Sequence, residues 1–108
     1  MKKTFVSTAI LFLFFLYNSY GQSAEDSYIR ANEKCTEGNV KGIAHDYIGA
    51  ISLYDEAVAI DPKYALTYYN RGIAKLNLAD NKGACVDLKK AEELGYKKAE
   101  ETIIKFCH

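Results

Sequence analysis

Residues 42–65 read GIAHDYIGAISLYDEAVAIDPKYA, and Pro62 within them is the one proline of the chain. The stretches on either side carry alanine and aromatic residues at helical spacing. A proline between them ends one helix, because its ring disfavours helical backbone at the residue before it, here Asp61. Pro62 itself suits the first turn of a following helix. The sequence therefore predicts a seam at Pro62 between two copies of one small helical unit.

Writing residues 31–64 above 65–98 without a gap tests that reading. Ala31 falls over Ala65, Gly38 over Gly72, Lys41 over Lys75 and Asp46 over Asp80; Gly49, Ala50, Ala57 and Lys63 likewise meet Gly83, Ala84, Ala91 and Lys97. Ala99 continues the register. A fixed spacing of this kind marks stacked helix hairpins. Gly38 and Ala50 lie symmetrically about position 44, and Gly72 and Ala84 about position 78, so each pair sits at one height on two antiparallel helices. Small residues there let the helix axes approach. Replacing Ala84 by leucine would overpack the contact at a cost of roughly 1–3 kcal/mol. Ala50, Tyr54, Ala57 and Val58 form one apolar stripe, and Leu66, Tyr69, Ile73 and Leu76 form the next. His45-Asp46 and Asp80-Asn81 punctuate the turns, with each aspartate available to cap the helix after it.

These residues resemble the tetratricopeptide repeat (TPR). The first copy matches its pattern with Gly38, Asp46, Tyr47, Ala50, Ile51, Tyr54, Ala57 and Pro62. The second, within YYNRGIAKLNLADNKGACVDLKKAEELGY (68–96), matches with Tyr68, Gly72, Asp80, Ala84, Leu88 and Ala91, but has Asn81 for the aromatic and Tyr96 for the proline. The resemblance implies an all-α fold, a right-handed stack of antiparallel helix hairpins with two TPR units, 31–64 and 65–98. Residues 22–30 extend the first helix. The first helix departs most from the pattern, with Lys34, Glu37 and Lys41 at usually apolar positions. Its Gly38 and Gly42 each cost about 1 kcal/mol relative to alanine, so this helix is expected to be the frailest. After Gly95, which reads as a helix C-cap, residues 99–108 form a capping helix with Ala99, Ile103 and Phe106 on one side, covering the second hairpin.

The start of the chain has the layout of an export signal. Lys2 and Lys3 precede a nearly all-apolar run from Phe5 to Tyr17, which is shorter than the roughly 20 residues a bilayer-spanning helix needs. Ser19 and Gly21 place cleavage before Gln22, giving a signal of residues 1–21; cleavage after Ala24 is the second option, and an uncleaved amphipathic or anchoring helix the third. Neither cleavage site is followed by a cysteine that would take a lipid anchor. The Lys-Lys start favours a bacterial exported protein, periplasmic or secreted, with no stable membrane insertion after cleavage. The 87 residues left suffice for one small domain. They hold 12 basic and 14 acidic side chains, a net charge of −2, which leaves no basic footprint for nucleic acid and no polybasic membrane patch.

Of three cysteines, Cys85 and Cys107 are each 11 residues from Tyr96, beside the Gly95 turn. Antiparallel pairing of the last two helices would set them opposite each other as a structural disulfide, worth about 3 kcal/mol in the chain-entropy account; the other reading is two small buried apolar residues. Cys35 is then odd, either buried or free for an intermolecular link. No CxxC, HExxH, phosphate-cradling glycine loop or Gly-x-Ser-x-Gly occurs, and His45 and His108 have no nearby ligands at metal spacing. The sequence thus predicts no catalytic residues, no metal and no cofactor. Glu100-Glu101 reads as a solvated helix face, and Tyr47, Tyr54 and Tyr68 as core.

The TPR resemblance implies a partner groove on the first helix of each hairpin. Carried over by position, it comprises Asn32, Cys35, Asn39, Gly42 and Ile43, then Leu66, Tyr69, Ile73, Leu76 and Asn77. Asn39 and Asn70 also fit the clamp with which some TPR proteins grip a terminal carboxylate. Cys35 and Glu100 stand where that clamp needs cations, and two amides without a cation hold a carboxylate weakly. The pattern instead describes a mostly apolar groove with amide edges, suited to an extended peptide or a partner helix in a non-enzymatic interaction module. The alternative is a self-associating structural subunit, a homodimer joined through repeat ends or Cys35.

Overall fold

The computed structural model describes residues 3–108. Met1 and Lys2, part of the basic start assigned to the export signal, lie outside it, as do the side chains around the Gly21–Gln22 site. Five helices are present among the described residues: α1 (Lys3–Ile43), α2 (Tyr47–Ile60), α3 (Ala65–Asn77), α4 (Asn81–Glu93) and α5 (Lys98–Phe106). The C-terminal part of α1 pairs with α2, α3 pairs with α4, the two hairpins meet through α2 and α3, and α5 closes on α4. All-helical architecture and 34-residue register agree with the repeat read from the sequence.

Each turn follows from local chemistry. Asp46 caps α2 by accepting from the Gly49 N–H at 2.9 Å, and Asp80 caps α4 by accepting from Gly83 at 3.0 Å. The residue before each cap, His45 or Ala79, is left-handed at φ 62°. Gly95 turns at φ 97°, while the Tyr96 N–H returns to the Ala91 carbonyl and closes α4. Pro62 sits in the α2–α3 linker and not in the first turn of α3. Its carbonyl accepts from the Tyr68 hydroxyl at 2.8 Å, so the seam is tied to the second repeat by a side chain.

Small residues set the helix approach. A Cβ on Gly72 would stand 3.2 Å from the Ala84 carbonyl and 3.0 Å from Leu88 Cγ, so Gly72 faces Ala84 as the symmetry argument requires. In the first hairpin the partner differs: Gly38 faces the ring of Tyr54, one turn beyond Ala50. A bulkier side chain at 54 than at the equivalent Leu88 fills the space itself. The first core cluster is Ala31, Cys35, Ala50, Tyr54, Ala57 and Ala74; the second is Tyr68, Ala91 and Ala99, flanked by Val58, Tyr69, Leu94, Tyr96 and Ile103. Alanine dominates both, and the largest fully buried side chains are only Leu88, Thr67 and Cys35. So lean a core gains from cross-links. One is the Cys85–Cys107 disulfide, whose Cα atoms are 5.8 Å apart.

The segment read as an export signal continues α1 without a break. Its side chains from Ile10 to Leu16 are exposed, and no helix among the described residues is long and apolar enough to cross a membrane. Further along, Tyr28 sets its ring edge-on to Tyr64 with centroids 5.2 Å apart.

Candidate functional site on the face of α1 and α3

Facing residues of α1, α2 and α3 enclose an open hollow of about 330 Å³, lined by Asn39, Gly42, Ile43, Tyr47, Tyr54, Asn70, Ile73, Ala74 and Asn77. A second hollow, about 320 Å³, lies between α3 and α5 and shares Ile73, adding Tyr69, Lys98, Glu101, Thr102, Lys105 and Phe106. Ile73 is the ridge between them. The first hollow has no charged side chain on its wall; the second has lysines and a glutamate.

An amide pair forms the wall of the first hollow. Asn39 Oδ1 accepts from the Tyr54 hydroxyl at 2.6 Å and from Asn70 Nδ2 at 3.0 Å, which also contacts Cys35 Sγ at 3.6 Å. Neither Asn39 Nδ2 nor Asn70 Oδ1 is used in a hydrogen bond among the described residues. One amide donor and one amide acceptor thus remain on the residues of this wall, the two kinds of group that a peptide unit can pair with. Burial, with the neighbouring Cys35 adding to it, pushes the Tyr54 phenol up to about 12, so at neutral pH it remains a hydroxyl that donates to Asn39.

Of the groove positions expected from the sequence, Asn39, Ile43, Asn70, Ile73 and Asn77 come together in the first hollow, and Tyr69 lines the second. Leu66, Leu76 and Asn32 line neither. Leu66 and Leu76 are half-buried. Asn32 is exposed and accepts from the Tyr64 hydroxyl at 2.9 Å. Cys35 is 1% exposed, so it offers no thiol to a partner or to a second copy of the chain in this conformation. The turn of α1 that carries it points inward, because Cys35 follows buried Ala31 by four residues on the same stripe. Tyr47, expected in the core, is half-buried and forms part of the hollow, its hydroxyl 2.9 Å from His45 Nδ1. Tyr54 and Tyr68 are core residues, 3% and 8% exposed.

Sequence reasoning missed an ionic cluster behind this face. Asp87, 3% exposed, accepts from Arg71 Nε at 2.9 Å and Nη2 at 2.8 Å and pairs with Lys75 Nζ at 2.9 Å. Arg71 Nη1 reaches Asp55 Oδ1 at 2.9 Å, and the guanidinium lies 5.5 Å from the centre of the Tyr68 ring. Hydrogen bonding to Asp87 raises the Arg71 pKa further, against the desolvation that opposes it. A signal was available: Arg71 and Asp87 are symmetric about position 79, one residue from the centre at 78 that pairs Gly72 with Ala84. Among the described residues, no group of three or more His, Cys, Asp or Glu side chains is placed to hold a metal ion.

Comparison with known proteins agrees with this architecture. Residues 45–78 match the family model described as TPR repeat. The chain is 37% identical over 65 residues to a Dictyostelium discoideum protein named a STIP1 homolog, covering 60% of this chain and 12% of that one. It is 36% identical over 72 residues to a Nematostella vectensis homolog of tetratricopeptide repeat protein 36, covering 67% of this chain and 40% of that one. The chain thus spans well under half the length of either relative. A matched repeat unit, a relative named for the repeat, and two helix hairpins stacked at its spacing together make this chain a tetratricopeptide repeat protein.

Proposed function

We propose that the protein is an exported, non-enzymatic docking module that holds a mostly uncharged extended peptide, or one face of a partner helix, along α1 and α3. A TPR repeat is a protein–protein interaction module, and proteins built from it are in general scaffolds. The observation that carries the finer reading is the uncharged hollow with Asn39 Nδ2 and Asn70 Oδ1 unspent beside Ile43 and Ile73. Amides of that kind bond a peptide backbone while the isoleucines take its apolar side chains, so main-chain bonds supply affinity and pockets supply selectivity. A terminal carboxylate is a poor fit. Buried Cys35 occupies the position of a clamp lysine, and the hollow has no cation on its wall.

Export is supported by Lys2-Lys3 ahead of the Phe5–Tyr17 apolar run, by the uncovered Ile10–Leu16 segment, and by a cysteine pair at bonding distance, which suits an oxidising compartment. Selection of binding peptides from a displayed random library tests the groove. Ile73→Asp should weaken the selected peptides at least tenfold, while Ile48→Asp, on an exposed α2 position outside both hollows, leaves them unchanged. Equal binding by wild type and Ile73→Asp would remove the groove assignment.

A further inference from the structure

The closing helix is held unlike the others. Among the described residues no ion pair joins α5 to another helix, and its one hydrogen bond between side chains to a neighbour is the 3.4 Å contact of Thr102 Oγ1 with the Tyr69 hydroxyl. Ala99, buried at its start, and half-buried Ile103 anchor the first turns. Beyond them Ile104 is 67% exposed and Phe106 44% exposed, and Lys105 and His108 are also exposed. The 34-residue register puts Phe106 where Gly38 and Gly72 admit a second helix, so α5 lacks the small residue at which the other two helices take a hairpin partner. The covalent tie at its far end is the Cys85–Cys107 bond, beside a Phe106 that is only partly covered. At nine residues, α5 is too short to stay helical without tertiary support.

That bond is also within reach of solvent. Both cysteines line an open hollow of about 620 Å³ beside α4, with Val86 and Phe106 as its apolar part and Asn81, Lys82, Lys89 and His108 as its polar part. Lys82 and Lys89 attract a negatively charged attacker to the sulfurs.

We infer that Cys85–Cys107 is a reducible latch on α5, opened by an anionic low-molecular-weight thiol, and that its state sets whether the α3–α5 hollow exists. A thiolate RS⁻ attacks one cysteine sulfur, forming a mixed disulfide and expelling the other cysteine as a thiolate, which takes up a proton. A second RS⁻ attacks the mixed disulfide and leaves as RSSR, and the freed cysteine is protonated. Two RSH are oxidised and one protein disulfide is reduced. The end of α5 then frays, and the second hollow loses the wall formed by Lys105 and Phe106. The first hollow, built only from α1, α2 and α3, is unchanged. Reduction shortens the groove without unfolding the repeats.

Hydrogen exchange on the full chain, with reduced glutathione as the thiol and alkylation to count thiols, tests the latch without any partner. Upon reduction the alkylatable thiols of denatured protein rise from one to three, and amides 104–107 exchange at least tenfold faster while those in 47–93 keep their protection. A Cys85→Ser/Cys107→Ser variant shows the same pattern without reductant. Unchanged α5 protection in the reduced protein or in that variant overturns the latch, and so does an equal loss of protection in α2–α4. Lys82→Gln/Lys89→Gln slows reduction by glutathione severalfold but not by uncharged 2-mercaptoethanol; equal slowing removes the preference for an anionic thiol.

Discussion

The carboxylate of Asp87 meets the guanidinium of Arg71 in a two-pronged contact, Nε to Oδ2 at 2.9 Å and Nη2 to Oδ1 at 2.8 Å, across the α3–α4 hairpin. Lys75 adds a third donor. A buried carboxylate with this many charged donors is costly to half-dismantle, because its cations stay behind without a partner. Asp87→Ala should lower the unfolding free energy by about 3 kcal/mol, measured by urea denaturation. Arg71→Lys should cost less, about 1 kcal/mol, because the ammonium keeps the charge and loses the fork. A loss below about 0.5 kcal/mol for Asp87→Ala would show the cluster to be energetically idle.

Two glycines on α1 should respond oppositely to alanine. A Cβ on Gly38 would lie 2.5 Å from Tyr54 Cε1, and that ring is 3% exposed and cannot swing away. At Gly42 the nearest atom is 4.0 Å away. Gly42→Ala should therefore stabilise by up to about 1 kcal/mol through helix propensity. Gly38→Ala should destabilise by about 1–2 kcal/mol as overpacking outweighs that gain. Thermal melts followed by circular dichroism rank the pair, and a rise in melting temperature for both would contradict the packing described.

Thr67 is fully buried, and its Oγ1 has no hydrogen-bond partner among the described residues. An unpaired buried hydroxyl costs more than the methyl that would replace it. Thr67→Val should be neutral or stabilising by up to about 1 kcal/mol. Thr67→Ala, which leaves a cavity, should destabilise. A clear loss of stability in the valine variant would mean that the hydroxyl is satisfied in solution.

Alkali should loosen the fold through its tyrosines. Burial pushes both Tyr54 and Tyr64 from the ordinary 10.0 up to about 12, with Cys35 adding to each. Their folded pKa values are raised, so their contribution is fully present below pH 10 and is lost as pH rises from 10 through 12. Absorbance at 295 nm and helicity, recorded together, should show these phenols ionising late and in step with helix loss. Tyr54→Phe should remove one of the late phenols. A helix signal already falling well below pH 10 would rule this out.

The hairpins, their turns and the register of Cys85 with Cys107 were legible in the sequence, because each depends on local order. Asp46 and Asp80 cap their own helices, Gly95 supplies its own left-handed turn, and residues equally distant from a turn meet whatever surrounds them. The 34-residue spacing likewise follows from a unit that must stack on a copy of itself. Which side chains of α1 and α3 face a hollow was decided by tertiary structure. Cys35 and Asn39 are neighbours on one stripe, yet the first is enclosed while the second borders open space, since their surroundings come from α2 and α3 and not from α1. The stacking angle between hairpins sums contacts from alanines, tyrosines and the Asp87 cluster across the whole chain. No single stretch contains that sum, so the repeat pattern does not tell that Leu66 and Leu76 stay off both hollows or that Tyr47 borders the first.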